Sequence, residues 1–375
     1  MQFTQVVGQS MAKERLVTMF KDNKLSHAVM LCEKPGYGAL PLVLSFISYM
    51  LCPNRSAHDS CGSCPVCNRT GKMIHPDIHF VMPVNTTKTI SSDKKPVSDT
   101  FLQEWREIII KDPYFTEQDW YNKIGIENKV GNIGVNEANL IIKKMGLMSY
   151  EGGDKFMFVW LPEKMNQEAA NKLLKFIEEP SEGTYIFMIT HAPEKIIPTI
   201  LSRCQIVRIP PIGLDELSGE LMEEFDLSGD EATFFARISG GSLVRARELM
   251  FDTQIMQQHD IQLGSLLEGC ASKDLSKVIE FWEEISATNR DNQKMFLEYA
   301  LEFVRMALML SKGLPEIANV PPSKMKQLLY WSEKLKPSFN GKAYDILNQA
   351  LEDVSRNVNS KYIFADLGNR FFLSL

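Results

Sequence analysis

The chain has 375 residues, a 44% hydrophobic share and a formal charge of −6: a length for two or three domains, and apolar content sufficient for ordinary packed cores. The acidic balance disfavours a protein that grips DNA alone through a broad basic surface, so a DNA role is expected only inside an assembly, and pairs such as Lys143-Lys144 read as solvated helix faces. No apolar stretch reaches about 18 residues and Met1–Gln5 lacks a basic region leading into an apolar core, so no membrane partner and a cytoplasmic location are expected.

The first element is an apolar strand, His27 to Cys32, followed by the turn Glu33-Lys34-Pro35-Gly36-Tyr37-Gly38-Ala39-Leu40 and an apolar helix, Leu42 to Met50. This is the strand, glycine turn and helix of a P-loop. In a working loop of the form G-x-x-x-x-G-K-[ST], the lysine neutralises phosphates and the hydroxyl holds Mg²⁺. Here Glu33 replaces the first glycine, Ala39 the lysine and Leu40 the hydroxyl, and Pro41 restricts the helix start. A carboxylate therefore stands where a polyanion would sit, and ATP binding by this chain is not expected.

Four of the seven cysteines follow as Cys52-x8-Cys61-x2-Cys64-x2-Cys67, with Pro53, Gly62 and Pro65 supplying turns. Thiolates at this spacing can converge on one tetrahedral Zn²⁺, about 2.3 Å from each sulfur. A disulfide-linked loop or a redox pair is the alternative, and His58 or His75 can stand in for a ligand. Cys32, Cys204 and Cys270 lie on apolar segments and are expected to be buried thiols.

From Asn85 to Pro96 the chain is polar and turn-rich, which reads as a mobile loop. Next come Phe101, Trp105, Ile108, Ile109, Tyr114, Phe115, Trp120 and Tyr121, too many large apolar residues for a disordered tail. Two readings stand: a short helical insertion over 85–132 packed on the core, or a surface for docking a partner. A helix over Ala138–Met145 returns the chain to the α/β pattern, and Lys155–Leu161 reads as a buried strand. An ATPase ends that strand in the Asp-Glu pair that holds Mg²⁺ and polarises water. The corresponding residues here, Trp160 and Leu161, cannot.

The helix from Asn166 to Glu179 has one apolar face, Ala169, Ala170, Leu173, Leu174 and Ile177, and stops at Pro180. Strand Thr184–Thr190, the triplet Ser202-Arg203-Cys204 and strand Gln205–Ile209 then lead to Pro210-Pro211, a domain boundary. Alternation of helix and apolar strand predicts a mostly parallel sheet. Beyond it, helices are expected over Leu214–Phe225, over Asp230–Ile238 and from Gly240 onward. Amphipathic patterns follow over Leu275–Ile285, Gln293–Leu310, Ser323–Leu335 and Ala343–Asn357, with no strands.

Five sequence words occur in order: Val7-Gly8-Gln9; Leu25-Ser26-His27-Ala28; His75-Pro76-Asp77; Leu173-Leu174-Lys175 with Glu178-Glu179-Pro180; and Ser202-Arg203-Cys204. Together they make residues 1 to about 210 resemble the delta-prime subunits of the bacterial DNA polymerase III clamp loader, within the AAA+ superfamily. The 85–132 segment departs from that pattern. The resemblance implies an AAA+ domain, here over 1–211 and containing the four-cysteine module at 52–67, a small helical lid over 212–252 and an all-α collar domain over 253–375. It further implies a subunit with no autonomous activity, part of the DNA polymerase III holoenzyme. Such a subunit works beside ATPase motor subunits and a clamp-opening subunit, on the sliding clamp and primed DNA.

Active relatives carry a nucleotide-sensing arginine where this chain has Val244, with Arg245 one position along. The resemblance makes Arg203 an arginine finger offered in trans to a neighbour's ATP. Ser202 can pin its turn and Cys204 can anchor it, leaving Arg203 projecting; the alternative pairs it with Glu178 or Glu179 of its own domain. An active ATPase with an unconventional loop is the competing functional reading.

Overall fold

In the computed structural model every residue is described except 88, 89, 91–95, 127, 128, 252, 319, 321 and 336. The loop expected over 85–96 therefore falls largely outside the described residues. Five strands form one sheet: β1 (Ala28–Cys32), β2 (Ile78–Val81), β3 (Lys155–Trp160), β4 (Thr184–Thr190) and β5 (Gln205–Arg208). They lie side by side in the order β2-β3-β4-β1-β5, and every pairing is parallel. Four strands are legible in the sequence; β2 is the added one, a four-residue piece directly behind His75-Pro76-Asp77.

Both sheet faces are buried, which is why the strands read as continuous apolar runs rather than alternating ones. Successive side chains still divide between two cores. Val29, Leu31, Phe156, Phe158, Trp160, Phe187 and Ile189 join one cluster. Ala28, Met30, Met157, Val159, Ile186 and Met188 join the other. The first face is covered by α1 (Ser10–Lys21) and α2 (Ala39–Leu51), and α3 (Pro65–Gly71) packs behind α2. The second face carries α6 (Val135–Met145), α7 (Gln167–Glu178) and the short α8 (Pro198–Leu201). In α7 the Asn166 side chain accepts the Ala169 N–H at 2.8 Å as an N-cap, and Ala169, Ala170, Leu173 and Ile177 form the buried face.

The aromatic segment resolves into α4 (Leu102–Lys111) and α5 (Glu117–Ile124), packed on the core. Its anchor is Trp105, fully buried, whose ring centroid lies 5.1 Å from that of Trp120, edge-on, and 5.4 Å from that of Trp160. Phe115 reaches Trp160 at 5.3 Å, and Trp120 donates its indole N–H to the Pro83 carbonyl at 2.8 Å. The packed-insertion reading describes these residues. Truncation of Trp105 to alanine removes a fully buried indole, and the first unit is expected to lose about 3–5 kcal/mol. Urea unfolding followed by tryptophan fluorescence measures this, and a loss under 1 kcal/mol would show the insertion to be detachable.

The chain divides into two compact units, residues 1–217 with 240–245, and residues 218–239 with 246–375. The second unit is helical among its described residues. It holds α10 (Gly229–Ile238), most of α11 (Leu243–Phe251), then α12 (Thr253–Ser272), α13 (Leu275–Ala287), α14 (Arg290–Ser311), α15 (Pro315–Ala318), α16 (Pro322–Lys334), α17 (Pro337–Ser355) and α18 (Ser360–Ser374); α9 (Leu214–Phe225) runs across the division. Phe281, Phe296, Phe303, Phe364 and Phe371 lie in its core, with α14 packed on α16 and α17, and α13 on α18. Two long helices, α12 and α18, are additions to the sequence reading. Gly368 in α18 is a packing glycine: a Cβ there would approach Val278 Cγ1 to 3.0 Å. No helix among the described residues is long and apolar enough to cross a membrane.

Candidate functional site

The four cysteines of the 52–67 segment converge. Their sulfurs all lie within 4.8 Å of one another, and those of Cys61 and Cys67 are 3.8 Å apart. Metal–sulfur arms of roughly 2.3 Å in a tetrahedron give sulfur–sulfur edges of about 3.8 Å, whereas a disulfide needs about 2.05 Å. The spacing suits an ion. Backbone N–H groups of Cys61, Cys64 and Cys67 donate to the sulfurs of Cys52, Cys61 and Cys64 respectively, each at 3.4 Å, and such donors favour thiolate.

The Cys61 thiol is drawn down to about 6 by the backbone N–H groups of Ser63 and then Cys64. Burial, then the neighbouring thiols of Cys64 and Cys52, push Cys67 up to about 12, and burial raises Cys52. Without a cation Cys52 and Cys67 are held toward their protonated forms; a divalent cation makes four thiolates compatible at one site. Cys52, Cys61, Cys64 and Cys67 can therefore hold a metal ion. His58 and His75 are not in the cluster.

The module is braced from two sides. Gln2 donates its side-chain amide to the Ser60 carbonyl at 2.7 Å, and the Asp59 carboxylate accepts the backbone N–H groups of Phe3 and Thr4 at 3.0 and 3.2 Å. Arg69, on α3, pairs with Glu151 at 2.6 Å, and His75 Nε2 lies 3.4 Å from the same carboxylate. Buried Asp77 accepts the N–H groups of Tyr150 and Glu151 at 2.6 and 3.1 Å. The word His75-Pro76-Asp77 thus joins the module to the loop entering β3. Only the long sequence separation between 77 and 151 hid that role.

At the end of β1, Glu33 turns its carboxylate onto the first turn of α2, where Oε2 accepts the Ala39 N–H at 2.8 Å. Its other oxygen lies 3.5 Å from His191 Nε2, and only 5% of the side chain is exposed. Gly36 and Gly38 have φ of 85° and 99°, left-handed values that favour glycine. Trp160 is buried among aromatic rings, and Leu161 leaves the strand at φ 57° with its side chain buried. Tyr114 of the insertion and Ser242 and Val244 lie against the glycines; none of these neighbours is legible from motif spacing.

Arg203 stands at the opposite end of the sheet. It lies two residues before Gln205, which opens β5 and pairs with Val29 near the start of β1. The Glu33–Gly38 turn begins after the last β1 residue, and a five-residue strand separates the two ends by roughly 13 Å. Within one chain this arginine does not reach its own loop. Its guanidinium does not project freely: one terminal nitrogen donates to the Thr199 carbonyl and the other pairs with Glu178, each at 3.0 Å. Nε is buried with no hydrogen-bond partner. Arg203 and Glu178 side chains are 32% and 53% exposed, so the pair is worth about 0–1 kcal/mol and opens easily. Ser202 pins the turn by donating to the same Thr199 carbonyl at 3.2 Å. Cys204 packs against the second core, and burial pushes its thiol up to about 12. Cys32 and Cys204 are half-buried rather than buried, while Cys270 is fully buried.

These features place the chain among known proteins. A family model described as DNA polymerase III, delta subunit, matches residues 8–213. The chain belongs to that family. Subunit delta' of DNA polymerase III from Escherichia coli (strain K12) is 24% identical over 307 residues, 82% of this chain and 77% of the relative. The delta' subunit of Bacillus subtilis (strain 168) is 27% identical over 224 residues, 60% of this chain and 54% of its own. That of Pseudomonas aeruginosa is 28% identical over 228 residues, 60% and 56%. Against the latter two, the chain spans little more than half the relative's length. The all-parallel sheet with helices on both faces, followed by a mostly helical C-terminal region, is the AAA+ arrangement that this family membership implies.

Proposed function

We propose that this protein is a non-hydrolysing subunit of the DNA polymerase III clamp loader, acting in the loading of the sliding clamp onto primed DNA. Its ATPase motor subunits and clamp-opening subunit are its partners, in the cytoplasm. Arg203 serves the ATP of an adjacent motor subunit. The observation that carries this reading is the separation of Arg203 from the glycine turn of its own chain. The two lie at opposite ends of one sheet, the turn leads into Ala39 and Leu40, and β3 ends in Trp160 and Leu161, where a working ATPase would have phosphate and metal contacts. Residues 212–252 act as the lid and 253–375 as the collar through which the subunit joins the ring. The four-cysteine site holds structural zinc, since a closed all-thiolate shell suits Zn²⁺ and leaves no open position for catalysis.

Titration of the lone chain with ATP tests the nucleotide half of the reading. No saturable binding is expected up to physiological concentrations, and Ala39→Lys alone is expected to leave hydrolysis absent, because Trp160 and Leu161 still hold no magnesium. Saturable micromolar binding by the wild-type chain would instead establish the competing reading, an active ATPase with an unconventional loop. Co-purification with the motor and clamp-opening subunits tests the assembly half.

A further inference from the structure

In a P-loop the first turn of the helix presents N–H groups that no backbone carbonyl can satisfy, and a phosphate ordinarily accepts from them. Here that place is taken. The Glu33 carboxylate accepts the Ala39 N–H at 2.8 Å, where α2 begins, while its own backbone N–H is held by the Thr190 carbonyl at 3.1 Å. The side chain is more than nine-tenths buried. A carboxylate and a phosphate are both anions that accept from N–H groups, so the helix dipole is complemented equally by either.

Neighbouring side chains stand close against both glycines of the turn. A Cβ built on Gly38 would lie 3.1 Å from the Tyr114 hydroxyl and 3.2 Å from its ring, and that hydroxyl accepts the Val7 N–H at 2.9 Å. A Cβ on Gly36 would meet Ser242 Oγ and come within 3.0 Å of Val244 Cβ. Ser242 donates to the Pro35 carbonyl at 2.9 Å, and the Leu243 N–H to the Gly36 carbonyl at 3.1 Å. The space where metal-holding carboxylates would stand is filled by Trp160 against Trp105 and Phe115. Tyr114, Trp105 and Phe115 all come from the 85–132 segment.

We infer that this chain carries its own ligand: Glu33 occupies the phosphate position of the P-loop, and Tyr114, between α4 and α5, is the permanent cover that replaces a nucleotide. The inference rests on the non-hydrolysing reading and assigns the insertion its task.

The test follows the thermal unfolding midpoint of the full-length chain while inorganic pyrophosphate is added without magnesium. The wild-type midpoint is expected not to respond. Glu33→Ala leaves the Ala39 N–H without its acceptor; its midpoint should fall by a few degrees, and pyrophosphate should raise it again. Adding Tyr114→Ala to Glu33→Ala should make that response occur at lower pyrophosphate. If Glu33→Ala does not fold, Glu33→Gln keeps the shape without the charge, and an intermediate midpoint that responds to pyrophosphate supports the same conclusion. A Glu33 variant with the wild-type midpoint and no response to pyrophosphate overturns the inference, as does a wild-type chain that responds as strongly as the variant. Neither result requires ATP binding by the wild-type chain, which is the separate observation that would defeat the non-hydrolysing reading.

Discussion

Arg203→Ala is expected to leave the subunit folded and the clamp-loader complex assembled, yet to lower the clamp- and DNA-stimulated ATPase rate and, more strongly, clamp loading. An arginine presented across a subunit boundary stabilises charge on the transferring phosphoryl group and is worth roughly 10³–10⁵ in rate at the site it serves. Under the proposed function other sites in the ring keep their own fingers, so the summed hydrolysis is expected to fall only in part. Loading requires the sites to act together and suffers more. Arg203→Lys should be nearly as damaging, because an ammonium lacks the planar fork that grips two phosphate oxygens.

The pairing with Glu178 provides a control. If Arg203 only braces its own domain, Glu178→Ala and Arg203→Ala should destabilise alike, by at most about 1 kcal/mol for an exposed pair, and neither should touch the ATPase. If Arg203 acts in trans, Glu178→Ala frees the guanidinium and leaves loading at or above the wild-type rate, while Arg203→Ala alone impairs it. Reconstituted complexes carrying each variant, assayed for ATP turnover and for clamp loading on primed DNA, separate the two. Wild-type loading by the assembled Arg203→Ala complex would make the arginine a structural residue.

Much of the sheet-bearing unit is legible because its strands are buried on both faces and its helices carry one-sided apolar spacing. β1, β3 and β4 come out as uninterrupted runs, and α7 announces its start at Asn166 and its stop at Pro180. What escapes is set by contacts distant in sequence. β2 has four residues and depends on its β3 partner, too little for a periodic signal. Gly368 looks like a breaker until Val278 is found against it. The candidate sites divide the same way. Four cysteines with tight spacing declare their convergence locally. By contrast, the Arg203–Glu178 pair was one of two readings that sequence left open, and the Tyr114–Gly38 contact spans 76 residues, which no motif encodes.

The metal site gives the other large expected effect. Purified protein should carry about one zinc per chain, and Cys64→Ser should lose it, since three thiolates no longer close the shell. This substitution isolates the metal from the helix it adjoins. Cys64 is the N-cap of α3, its sulfur accepting the Cys67 N–H, and serine is itself a strong N-cap. Helix α3 therefore keeps its cap while the ion goes. Binding energies of structural zinc sites are on the order of 10 kcal/mol, so the 52–67 segment should exchange its amide protons much faster in the variant. The change should spread to Phe3 and Thr4, held by Asp59, and to Tyr150 and Glu151, held through Arg69 and Asp77, while the sheet stays protected. Acid should release the ion from the wild-type protein, because each thiol must give up its proton to bind as a thiolate, and burial favours the protonated form of Cys67 as pH falls. Cys270→Ser, far from the cluster in sequence and in a separate core, should retain full zinc. Elemental analysis of freshly reduced, unchelated wild-type protein decides the matter: absence of zinc there would overturn the metal assignment and leave four convergent thiols with nothing to hold them as thiolates.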